Sequence, residues 1–83
     1  MAVNPDLFSG ITGRDLVPVT PSNTVDLAIP ARALRIGGGG TLRFTSLAGI
    51  VRNTSVSDSE LFLIGVLRVH STGTTATNIE AVL

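Results

Sequence analysis

Short runs of β-branched and other apolar residues alternate with clusters of Gly, Pro, Asn, Asp and Ser from Val17 to the end of the chain. This alternation of apolar runs and turn-forming clusters is typical of an all-β domain, and no segment predicts a regular helix longer than about two turns. The pattern predicts about six short strands, at residues 17–20, 31–36, 41–46, 50–55, 61–70 and 77–83. We therefore expect residues 17–83 to form a small antiparallel β-sandwich or barrel.

The alternation of side chains within these strands assigns a core. In 31–36 and 41–46, apolar and polar residues alternate as they do in strands with one buried face. The run 61–70 is apolar on both faces as far as Arg68, which predicts a strand that is covered on both sides. The core is expected to contain Leu34, Ile36, Leu42, Phe44, Leu61, Leu63, Ile64, Val66, Val69, Ile79 and Ala81.

Residues 1–16 show neither a strand period nor a helix period and predict an extended N-terminal arm. Leu7, Phe8 and Ile11 are too apolar for a solvated tail. We expect the arm to pack on another chain, with these three side chains as subunit contacts.

The size and composition of the chain favour self-association. A domain of 83 residues buries only about 60% of the surface of its unfolded chain and is marginally stable alone. The chain has no Cys and one His, so neither disulfides nor a metal can supplement the core. Charged residues make up only 14% of it, which is low for a surface that faces water. The composition predicts a homo-oligomer.

The charge balance argues against nucleic acid and membrane partners. Six acidic residues balance six basic ones, so no general field attracts an anionic polymer. No apolar stretch is long enough to span a bilayer, and the N-terminus lacks the pattern of a secretory signal, so we expect synthesis in the cytoplasm. Every basic residue is arginine, which fits either desolvated interfaces or a G+C-rich genome.

Three arginines in or beside strands are the expected charged contacts between copies: Arg35, Arg43 and Arg68. Their partners would be Asp26, Asp58 or Glu80 of a neighbouring copy, because arginine forms bidentate pairs with carboxylates.

Four consecutive glycines, Gly37 to Gly40, are the most conspicuous local motif. A phosphate-binding loop would need a lysine after the glycines, and the chain has none; a dinucleotide fingerprint would need a helix where a strand is predicted. We interpret the run as a hairpin turn whose residues need positive φ.

No constellation predicts catalysis, a cofactor or a metal site. His70 stands alone, Asp58 and Glu60 fit a solvated loop, and a Ser-His-Asp set lacks a nucleophile elbow. We expect His70 to end a buried strand, packing its ring carbons and reaching a polar atom through a nitrogen, with a subunit contact as the alternative. The sequence therefore predicts no enzyme.

Three segments carry a resemblance to a known family: "VTPSNTVDL" (19–27), "RALRIGGGG" (32–40) and "RVHSTGTTATNI" (68–79). Their order resembles that of the small spike base proteins of tailed bacteriophages and of the gene transfer agents of alphaproteobacteria. The resemblance covers residues 17–83, and the "TGTTAT" hairpin is its most specific element. The family usually has Asp where this chain has Asn23, and a Gly and a Pro near the start of the strand before that hairpin, which here reads "SDSELFLIGVLRV".

The resemblance implies a structural virion protein at capsid vertices that links the capsid to a head spike or fibre. A ring of copies at the capsid surface follows, a pentamer first because vertices are fivefold and a trimer second because fibres are often trimeric. Its partners would be capsid protein and a spike or fibre protein. A small carbohydrate-binding or other adhesion module is the alternative, although the chain has no Trp or Tyr on which sugars could stack.

Overall fold

Seven strands make up the part of the chain that the computed structural model describes, residues 14–83. Within that range there is no helix, and so none that is long and apolar enough to cross a membrane. The predicted all-β class is confirmed. The strands are β1 (Leu16–Pro18), β2 (Ala33–Gly38), β3 (Gly40–Ser46), β4 (Val51–Val56), β5 (Glu60–Phe62), β6 (Val66–Val69) and β7 (Thr77–Val82).

The strands form two antiparallel sheets that pack face to face. The four-stranded sheet has the order β1-β7-β2-β5, and the three-stranded sheet has the order β4-β3-β6. Leu34 pairs with Ala81 in the first sheet, and Phe44 pairs with Val69 in the second. All four side chains belong to one buried cluster, so the architecture is a sandwich.

The core largely follows the predicted alternation. Phe44 packs edge-to-face on Phe62, with ring centroids 5.1 Å apart, and thereby joins the two sheets. Eight of the predicted core residues are buried: Leu34, Ile36, Leu42, Phe44, Val66, Val69, Ile79 and Ala81.

The predicted single strand 61–70 is wrong. Its first residues belong to β5 in the four-stranded sheet, and its last residues belong to β6 in the three-stranded sheet. The chain crosses between the sheets at residues 63–65, so the apolar run does not lie between two covering layers. Leu61, Leu63 and Ile64 are therefore exposed, by 54%, 60% and 47%, instead of lying in the core.

The interpretation of Gly37–Gly40 as a hairpin turn is also wrong. The glycines carry the chain from β2 in one sheet to β3 in the other, and none of the four has a positive φ. Close packing explains them instead. A Cβ on Gly39 would lie 2.7 Å from the carbonyl oxygen of Val56, and one on Gly40 would lie 2.5 Å from Oγ1 of Thr75.

The "TGTTAT" segment is a crossover as well, not a hairpin, because β6 and β7 belong to different sheets. Gly73 turns the chain with φ of +91°. The segment is then held against β3, since Thr75 N donates to Thr41 O over 2.8 Å and Arg43 N donates to Thr74 Oγ1 over 3.0 Å.

Most of the predicted arm lies outside the described residues, including Leu7, Phe8 and Ile11. Its last residue, Leu16, already belongs to β1, which pairs with β7. Arg14 N donates to the carbonyl oxygen of Leu83, so the arm enters the domain beside the end of β7.

Candidate interaction surfaces

His70 follows β6 and has the structural role predicted for it. Its Nε2 lies 2.9 Å from Thr45 Oγ1, and its backbone N donates to Arg43 O over 2.9 Å. Burial lowers the pKa of His70 below the ordinary 6.5, and the positive charges of Arg43 and Arg68 lower it further. These contacts hold the crossover that follows β6. Within residues 14–83, the imidazole has no acidic partner.

Two of the three predicted contact arginines pair with acids of their own chain. Arg35 reaches Glu80 across the β2–β7 ladder at 3.1 Å, and Arg68 Nε donates to Asp26 Oδ1 over 2.7 Å. Both acids are among the three predicted as partners, but they pair here within one copy. Contacts of these arginines with a neighbouring copy stay a prediction.

Arg43 lies on the outer face of the three-stranded sheet. Its Nε is buried and has no hydrogen-bond partner in the described range. The side chain lies beside the crossover glycine, since a Cβ on Gly73 would approach its Cδ to 3.1 Å. No acid meets it within residues 14–83, so its predicted role as a contact between copies also stays a prediction.

Asn23 joins two of the segments that carry the family resemblance, a role that sequence reasoning missed. Its Oδ1 accepts hydrogen bonds from Ser71 N and Thr72 N at 3.2 and 3.0 Å, and its Nδ2 donates to Thr72 Oγ1 over 2.8 Å. Arg68 Nη1 donates to its carbonyl oxygen over 3.1 Å. An Asp here would keep both acceptor bonds and lose only the donor.

A cluster of exposed apolar side chains occupies one end of the sandwich. The β3–β4 turn brings Leu47 and Ile50 to this end, and the β5–β6 crossover brings Leu63 and Ile64. Leu47 N donates to Gly65 O over 3.2 Å, which ties the two segments together. All four side chains are 46–60% exposed, and we call Leu47, Ile50, Leu63 and Ile64 the apolar end.

The opposite end of the sandwich is polar. β4 runs to it from the apolar end, and there the turn at residues 57–59 and the crossover at residues 71–75 carry hydroxyl groups and the Asp58 carboxylate. Gly39 N donates to Asp58 Oδ1 over 2.6 Å, and Thr41 N donates to Thr75 Oγ1 over 2.8 Å. We call residues 57–59 and 71–75 the polar end.

An open apolar cleft of about 400 Å³ lies between β1 and the loop at residues 26–29. Val17, Val19 and Ile29 line it, and Asp26 is its one ionisable residue. It lacks the convergent polar groups of a catalytic pocket. Among residues 14–83 there is no group of three His, Asp or Glu that could bind a metal. The aromatic rings of the same range, Phe44 and Phe62, pack on each other, so none offers the exposed face that sugar stacking needs.

Comparison with known proteins finds one kind of similarity, to a solved structure. No family model matches the chain, and no curated protein matches it. Among solved structures, it is similar to a chain of the capsid of a native gene transfer agent (GTA) particle, computed with C5 symmetry. The two are 34% identical with a TM-score of 0.80, over 99% of this chain and 92% of that chain.

Proposed function

The chain belongs to the family of that chain of the gene transfer agent capsid particle, and from this premise we propose that it is the base of a head spike or fibre at the capsid vertices. It is a structural protein of the virion. The proposed base sits at the capsid surface as a ring, with five copies as the first expectation and three as the second, and links capsid protein to a spike or fibre protein. No enzymatic step is part of this role.

The apolar end is the observation that carries the proposal. Monomeric proteins rarely expose several large apolar side chains side by side, and such patches mark contacts with other proteins. The four side chains here belong to two turns that hydrogen bonds hold in place, so the patch is preformed. A preformed apolar surface suits a permanent structural contact better than a transient one.

We assign the apolar end to capsid protein and the polar end to the spike or fibre. Permanent interfaces are the more apolar ones, and the capsid contact must last for the lifetime of the particle. The hydroxyl and carboxylate groups of the polar end suit directional hydrogen bonds that orient a second protein. The fivefold symmetry used for the neighbour's particle supports a vertex position, where five equivalent contacts are available.

Binding of the purified chain to capsids that lack it tests the assignment. Leu63→Glu places a charge in the proposed contact, whereas Val25→Glu places the same charge on an exposed valine outside the apolar end. A buried leucine contributes about 1.5–3 kcal/mol, so Leu63→Glu should weaken capsid binding by at least about tenfold. Val25→Glu should leave it unchanged. Wild-type binding by folded Leu63→Glu and Ile64→Glu variants would refute the contact.

A further inference from the structure

Of the four sheet edges formed by residues 14–83, β4 alone is long and is not covered by another segment of that range. β1 and β5 have three residues each, and β1 contains Pro18. The free side of β6 is partly covered by the segment 22–27, since Ser22 N donates to Val69 O and Leu27 N to Leu67 O, both over 2.8 Å. β4 has six residues, no proline, and no strand of residues 14–83 on its outer side. Proteins normally blunt such edges, because an open edge pairs readily with another strand.

The hydrogen-bond pattern identifies the backbone groups of β4 that point away from β3. Ser46 N donates to Ile50 O over 2.9 Å, so this pair, which closes the β3–β4 hairpin, is a hydrogen-bonded one. In an antiparallel ladder such pairs alternate with pairs that point their backbone groups away from each other. The N–H and C=O groups of Val51, Asn53 and Ser55 therefore point outward from β4. Of these, Ser55 O accepts a long bond of 3.5 Å from Thr54 Oγ1.

β3 provides an independent check of this alternation. Its residues that pair with Asn53 and Ser55 should point their backbone groups away from β4. Arg43 O accepts from His70 N over 2.9 Å, and Thr41 O accepts from Thr75 N over 2.8 Å, both on the β6 side. The outward direction of the β4 groups follows.

The arm enters the domain on the side opposite this edge. β1 ends one side of the four-stranded sheet, and the chain that follows it runs along β6. β4 lies on the other side, where the turn at residues 57–59 leads directly into β5. In a closed ring one lateral side of each copy meets the opposite side of the next. In a ring whose contacts are made through these two sides, the arm of one copy would start beside the β4 edge of the next.

We propose that residues 6–12 of one copy add a strand to the β4 edge of the next copy. This proposal rests on the ring of the proposed function and names its contact between copies. Residues 6–12 follow Pro5 and contain no proline, so every residue can donate to the ladder, and their number fits the six residues of β4. Extended chain spans about 3.3 Å per residue, so the residues before Arg14 reach about 40 Å.

An added strand also gives cover to the apolar residues of the arm. Leu7, Ser9 and Ile11 would share one face of it, and Phe8 and Thr12 the other. One of these apolar sets then extends the inner face of the three-stranded sheet next to Val56, which is buried at the end of β4.

Hydrogen exchange of the backbone amides, measured by NMR on the full chain over a concentration series, tests the proposal. The amides of Val51, Asn53 and Ser55 should exchange rapidly in the monomer. They should slow by more than about tenfold as rings form, because the added strand then accepts their hydrogen bonds. The size distribution at each concentration is measured in parallel by sedimentation.

A matched pair of arm variants identifies the occupant of the edge. Phe8→Pro/Ser9→Pro removes two N–H groups of the arm and blocks a regular ladder. Phe8→Leu/Ser9→Thr keeps both N–H groups and the apolar character. The proline pair should abolish the slowing at Val51, Asn53 and Ser55 and shift the ring midpoint at least about tenfold to higher concentration. The control pair should behave as wild type.

Each other result overturns the proposal. Rapid exchange in the assembled ring means that the edge stays open, and slow exchange in the monomer means that a copy covers its own edge. Slowing that survives the proline pair assigns the edge to another segment of the neighbour. A chain that stays monomeric at millimolar concentration excludes arm exchange, and its binding to capsids would still leave the proposed function standing.

Discussion

Alanine at Leu34 and alanine at Leu63 should affect the stability of the isolated chain very differently, although the sequence pattern places both residues in the core. Leu34 is fully buried in β2, while Leu63 lies in the β5–β6 crossover with 60% of its surface exposed. Truncation at Leu34 removes packed atoms and leaves a cavity, at a cost of about 2–5 kcal/mol. Leu63→Ala loses only the burial of the two fifths of the side chain that is covered, which is worth about 0.6–1.2 kcal/mol.

These differences are large compared with the whole stability of so small a domain. A chain of 83 residues is expected to unfold with about 4–12 kcal/mol. Leu34→Ala therefore removes a large share of that free energy, and Leu63→Ala a minor one. With an m-value of about 1 kcal/mol/M, the urea midpoint should fall by about 2 M or more for Leu34→Ala and by no more than about 1.2 M for Leu63→Ala.

Urea unfolding below the concentration at which rings form measures both variants, with equal m-values as the check that the denatured state is unchanged. Leu63→Ala should instead show its main effect in binding to capsids, where the apolar end is proposed to be covered. Equal destabilisation by the two substitutions in the monomer would refute the split of the run 61–70 into β5 and β6, because a leucine in the crossover cannot lose as much packing as one between the sheets.

Three further results are expected. The pKa of His70 should lie below 6.5 in the folded chain. The unfolded chain then binds the proton more tightly, so the free energy of unfolding is highest above pH 6.5 and falls as the pH drops through the folded pKa. Urea midpoints across a pH series measure this fall. Asn23→Ala, which loses its bonds to Thr72, should cost about 1–3 kcal/mol in the same assay. Gly40→Ala, whose Cβ would meet Thr75 Oγ1 at 2.5 Å, should cost about 1–3 kcal/mol.

Each of these three predictions has a control variant that isolates its physical cause. His70→Gln should remove the pH dependence assigned to the imidazole while keeping a polar group near Thr45. Asn23→Asp should recover most of the loss, since both acceptor bonds remain; full loss would mean that the Nδ2 donor dominates. At Gly49, where φ is +80° and the space is open, alanine should cost only about 1 kcal/mol, through backbone strain alone.

Local sequence determined the fold class, most of the strands and most of the core. Alternation in the segments that became β2 and β3 placed Leu34, Ile36, Leu42 and Phe44 correctly, because a strand with one buried face imposes a period of two whatever sheet it joins. The role of His70 also followed from its place at the end of an apolar run. The resemblance to spike base proteins predicts a structural virion protein, and the match to a capsid particle supports the same conclusion.

The tertiary structure alone decided which strands share a sheet. One strand that is covered on both faces and two short strands in different sheets give the same run of apolar residues. The pattern alone therefore cannot distinguish them, and the prediction of one strand at 61–70 is wrong. The prediction for glycines 37–40 is wrong for the same reason. Their close contacts are with Val56 and Thr75, which lie far along the chain, and a local sequence pattern contains no information on such contacts.

The candidate surfaces were decided in the same way. Leu47 and Ile50 are separated in sequence from Leu63 and Ile64 by β4 and β5, and they form a patch only because the β3–β4 turn and the β5–β6 crossover lie at the same end. The acids that pair with Arg35 and Arg68 are likewise 45 and 42 residues away in sequence. Side-chain periodicity reports on neighbours within a strand, whereas sheet order and the surfaces it creates depend on contacts between distant segments, which form only when the whole core assembles.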